Sequence, residues 1–171
     1  MTDRKLFGTN TLVNDFTKTL TQTNTLDGGW TTQYVDNSTG QQWLKYVVDE
    51  RGFFVNLIFS SPLPTTDELI QIAFNTKYFD EASAAATRLN IEEQTNKKEY
   101  RQKVIDKLNT VDISLLDKSE KERIKTIILA SQLTDRVNKR EIVGKHFTEI
   151  QADANFFNDV ADSAENILHL L

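Results

Sequence analysis

Cysteine is absent from the 171-residue chain, which excludes a disulfide framework, a thiol nucleophile, zinc–cysteine sites and iron–sulfur ligation. Histidine occurs only twice, as His146 and His169, too few for the imidazole-rich sets of most transition-metal sites. None of the six glycines sits in a phosphate-cradling loop ahead of a helix. No Gly-x-Ser-x-Gly elbow offers a serine nucleophile. No apolar run approaches the roughly 20 residues of a membrane span, and the opening Met-Thr-Asp-Arg-Lys-Leu-Phe-Gly lacks the apolar core of a signal peptide. The expectation is a cytoplasmic protein with no cofactor and no membrane partner.

Basic charge is also in short supply. A formal charge of −5 and an isoelectric point near 5.1 argue against tracking a phosphate backbone, which relies on clustered Lys and Arg. No nucleic-acid partner is expected. What is present is the profile of a folded globular chain, 39% hydrophobic and 26% charged with only two prolines. Its length suits a single domain over 1–171.

The first 27 or so residues are rich in Thr and Asn, and Leu12, Val13, Phe16 and Leu20 recur at the spacing of a weak amphipathic helix. From there the pattern changes to strands at Trp30–Asp36, Gln41–Asp49 and Phe53–Ser60. Asn37-Ser38-Thr39-Gly40 and Asp49-Glu50-Arg51-Gly52 punctuate them with hairpin chemistry. A three-stranded antiparallel meander over about 29–60 follows. The third strand is apolar on nearly both faces and is expected to lie centrally or beneath helices.

Pro62 and Pro64 bracket a change of regime. Thr65 with Glu68 three residues later forms a capping box ahead of Leu69, Ile72, Ala73 and Phe74. Helical periodicity then continues to the end, through Ala82, Ala85, Ala86 and Leu89 and through apolar stripes about 100–108, 124–133 and 147–168. The fold class is therefore α+β: a small meander followed by a mostly helical part, about 65–171, with helices in stacked hairpins as one arrangement.

Three groups of residues carry candidate chemistry. His146, Glu149 and Asp153 share one helical face, as metal ligands can, although a solvated face is the plainer account and no metal site is assigned. The basic series Lys97, Lys98, Arg101 and Lys103, then Lys118, Lys121, Arg123 and Lys125, then Arg136, Lys139 and Arg140, is interleaved with acids and reads as solvated helix surface. Trp30, Tyr34, Trp43 and Tyr46 give the meander a high aromatic density, which suits either a sheet core or an interface anchor.

The string Gly29-Trp30-x-x-x-Tyr34-x-Asp36-x-x-x-Gly40-x-x-Trp43-x-x-Tyr46 resembles a hairpin signature of bacterial polymorphic-toxin immunity proteins. It covers fewer than 20 residues. Asn37 replaces the proline those proteins tend to have, their Gly-rich tail is missing, and the helical part has no alignable counterpart. The resemblance implies an acidic cytoplasmic protein that neutralises a cognate toxin by direct binding rather than an enzyme. The expected partner-binding residues are then Trp30, Tyr34, Asp36, Trp43 and Tyr46, with Asp80, Glu81, Glu92 and Glu93 as acidic patches that steer a basic partner. An adaptor or regulatory domain that holds a peptide between stacked helices is the alternative, followed by a carboxylate- or metal-dependent enzyme.

Overall fold

The computed structural model describes residues 3–47, the backbone of 55–59, and 63–171. Its elements are β1 (Leu6–Phe7), α1 (Asn10–Thr17), β2 (Thr21–Leu26), β3 (Thr31–Val35), β4 (Gln42–Val47), β5 (Val55–Phe59), α2 (Thr66–Asn75), α3 (Phe79–Asn96), α4 (Arg101–Asn109), α5 (Lys118–Ala130) and α6 (Phe147–Leu170). The class is α+β. The chain forms two compact units, Met1–Ala85 and Ala86–Leu171, with the division inside α3.

The three expected strands are present as β3, β4 and β5, paired antiparallel in sequence order. Two further strands flank them, giving five among the described residues in the order β1-β5-β4-β3-β2. The expected N-terminal helix stops at Thr17, and the Thr- and Asn-rich stretch after it forms β2 instead. Thr favours extended backbone, and pairing with β3 satisfies the polar backbone without burying side chains. All six β2 residues are exposed.

The β3–β4 hairpin closes at the predicted turn. Asp36 N donates to Gln41 O at 2.8 Å, and Gly40 N donates to Asp36 O at 2.7 Å. Gly40 holds φ 73°, where a side chain would be strained. The β4–β5 turn and the side chains of the apolar third strand lie outside the described residues. In the core beside the sheet, Phe7, Val13 and Trp43 are buried, with Phe16, Leu20 and Tyr34 packed against them. Phe7 and Phe16 stack at 4.5 Å, and Phe16 meets Trp43 edge-on at 4.8 Å.

In the helical part, Thr65 and Glu68 form the anticipated capping box at the start of α2. Asp117 and Glu120 make a second at α5. Val104, Ile105 and Leu108 of α4, Ile124, Ile127 and Ile128 of α5, and Phe157, Val160, Ala161, Ala164 and Ile167 of α6 are the buried stripes.

Candidate functional site

The sheet ends in an uncharged edge. β2 reads Thr-Gln-Thr-Asn-Thr-Leu and, among the described residues, pairs only on its β3 side, with a register shift between Gln22 and Asn24. The link to β3, Asp27–Gly29, runs through three positive φ angles of 52°, 65° and 106°. That tight corner leaves Trp30 52% exposed, and Leu26 beside it is exposed too. A flat indole at a hairpin corner, next to unpaired strand backbone, combines two features of binding surfaces: an aromatic anchor and a template for an added strand.

The other meander residues serve the fold. Tyr34 stands opposite Trp43 in the β3–β4 register, and Thr31 opposite Tyr46. Trp43 and Tyr46 are buried, so they are core residues and not partner anchors. Tyr34 is half-buried, and partial burial raises its phenol pKa. Asp36 accepts from Ser38 N at 2.8 Å and from the Ser38 hydroxyl at 2.6 Å. Those bonds, the hydroxyl foremost, hold its carboxyl below the usual range. The Tyr34-Asp36-Gly40-Trp43 spacing that carries the resemblance is thus met by the needs of the hairpin itself.

The acidic patches are corrected by burial. Glu81, Glu92 and Glu93 are only 4–6% exposed, and each faces partners inside the protein. Asp80 pairs with Arg4 and accepts from Gly8 N. Glu81 accepts from Lys5 N at 2.6 Å and Leu6 N at 3.1 Å, tying β1 to the first turn of α3. Burial opposes the charge of Glu92, but Lys98 at 2.8 Å, Asn96 and Arg88 outweigh it and lower its pKa. For Glu93 burial wins, pushing its carboxyl up despite the Arg101 guanidinium at 2.9 Å. Acids drawn inward to cations or backbone donors are poorly placed to steer an approaching partner.

His146, Glu149 and Asp153 do not converge. His146 caps α6, and Glu149 returns the bond to His146 N at 2.8 Å. Asp153 receives Lys145 and Arg140, which lower its pKa in that order. No group of three or more metal-ligating side chains occurs among the described residues.

Sequence reasoning missed a cavity of about 220 Å³ within Ala86–Leu171. Lys97, Arg101, Lys139, Arg140 and Lys145 line it with Glu93, Glu99, Glu141, Phe156 and Phe157. Arg101, at the start of α4, is fully buried and also donates to Gln132 O at 2.9 Å beyond the end of α5. Arg140 lies 4.3 Å over the Phe156 ring, and Arg101 lies 4.9 Å over Phe157. The basic series read as solvated surface supplies four of these ten residues, Lys97, Arg101, Lys139 and Arg140; the signal in the sequence is the recurrence of Lys and Arg near 97–101 and 136–145.

No helix among the described residues is long and apolar enough to cross a membrane. No protein-family model, curated protein or solved structure matches the chain.

Proposed function

We propose that the chain is a protein-binding protein whose partner adds an extended segment along β2 and seats a pocket over Trp30. The observation that carries this is the exposed indole of Trp30 beside an uncharged strand edge. Natural edges are usually blunted by Lys, Pro, inward charge or a bulge, and of these β2 has only the register shift between Gln22 and Asn24. Main-chain hydrogen bonds would supply affinity along the edge, and the indole a desolvated anchor at its end. A cognate toxin is the partner class that the hairpin resemblance favours, with the chain acting as its neutralising immunity protein in the cytoplasm.

The test is affinity capture from the native cell with mass spectrometry, run in parallel on the unaltered chain, Trp30→Ala, Thr25→Lys and the control Glu122→Gln. A partner retained by the control and lost with both edge variants supports the proposal. A partner that ignores Trp30→Ala and Thr25→Lys places binding elsewhere and overturns it.

A further inference from the structure

The cavity beside α4 has room for roughly seven waters at ~30 Å³ each, the scale of a small organic molecule. Four of its five cations are matched from within the same unit. Arg101 faces Glu93, Lys139 faces Asp135, Arg140 faces Glu99 and Asp153, and Lys145 faces Asp153. Lys97 differs: among the described residues its ammonium takes part in no ion pair.

Its backbone is unusual as well. Lys97 holds φ 55° just after α3, the left-handed position where a helix end favours glycine. A side chain is kept there at a conformational cost, and it borders the cavity. The cavity lining also includes the half-buried Phe156 ring, packed edge to face at 5.4 Å on Phe157, which is itself buried. Lys97 is exposed and free to take an anionic group, and the Phe156 ring suits an apolar body.

We propose that this cavity binds a small monocarboxylic acid with an aromatic or branched apolar body, its carboxylate on Lys97 and its body against Phe156. A phosphate dianion would need a second unmatched cation, and a neutral ligand would leave Lys97 unused. This site is independent of the strand edge at β2.

Titration of the full chain with phenylacetate and with isovalerate, followed by NMR of the Phe156 and Phe157 ring signals, tests it, with phenylacetamide and inorganic phosphate as comparisons. At least one acid is expected to saturate near about 1 mM or tighter, and the amide and phosphate to bind about tenfold more weakly. Lys97→Gln, an exposed change that leaves the remaining spectrum in place, is expected to weaken the acid about tenfold and leave the amide unchanged. Failure of both acids to bind, equal binding of the amide or phosphate, or undiminished binding to Lys97→Gln each overturns the proposal.

Discussion

Both carboxylate oxygens of Glu93 accept from Arg101 Nε, at 2.9 and 3.1 Å, and both side chains are buried. Removing one member leaves the other charged and without its counter-ion, so Arg101→Met is expected to cost about 3 kcal/mol or more in urea unfolding. Adding Glu93→Leu removes the stranded charge and should restore part of that loss. Recovery stays incomplete because Gln132 O and Asp135 O also lose a donor. A double variant no more stable than Arg101→Met would mean that the pair's energetics lie in those carbonyl contacts.

Glu93 also sets a pH dependence. Burial raises its pKa above the ordinary 4.5, so the folded chain holds this proton more tightly than the unfolded chain. Its stabilising contribution is therefore full below pH ~4.5 and is lost as pH rises through the raised value. Glu93→Gln cannot titrate. The stability of the unaltered protein relative to Glu93→Gln should fall as pH rises above about 4.5, measured by urea midpoints. A rising difference would mean that Arg101 outweighs burial.

Glu81 is the acceptor for two backbone N–H groups of the β1 segment, on Lys5 and Leu6. A leucine there keeps the bulk and removes both bonds. Orphaned buried donors cost about 1–3 kcal/mol each, so Glu81→Leu is expected to lose at least about 2 kcal/mol and to speed hydrogen exchange at Leu6. Unchanged exchange would show that β1 is held by its pairing with β5 alone.

Local signals in the sequence suffice where local chemistry decides the outcome. The Asp36–Gly40 turn and the Thr65–Glu68 box are governed by residues within four positions of each other. β2 was missed because polar residues in a strand exposed along its whole length carry no alternation to detect. The acids were misplaced for a different reason. Asp80 finds Arg4 at a separation of 76 residues, and Asp153 is shared by Arg140 and Lys145 across a loop. An acidic pair in a sequence looks the same whether or not a distant cation will claim it. Trp30 and Trp43 were likewise alike on paper, since the hairpin geometry that buries one and exposes the other depends on the corner at Asp27–Gly29.

That contrast between the tryptophans is measurable. Trp43→Ala removes a buried ring from the Phe7–Phe16 cluster and is expected to cost about 3–5 kcal/mol. Trp30→Ala, at a site 52% exposed, should shift stability by no more than about 0.5 kcal/mol. Thermal melts of the two variants suffice. A large loss for Trp30→Ala would assign its indole to the fold and take away the proposed anchor.

Lys97 sets stability against binding within one side chain. A left-handed φ costs an L-residue about 1–2 kcal/mol, and glycine avoids that cost while giving back roughly 0.5–1 kcal/mol through its freer unfolded chain. Lys97→Gly is therefore expected to raise stability by about 0.5–1 kcal/mol. The bonds from Lys97 N to Glu93 O at 3.1 Å and from Lys98 N to Glu92 O at 3.2 Å, which end α3, survive the change. The same variant should bind carboxylic acids as weakly as Lys97→Gln. A more stable protein that has lost the ligand would explain why lysine occupies a glycine position. A less stable one would mean that the lysine stem packs on the cavity wall and holds its place for structural reasons.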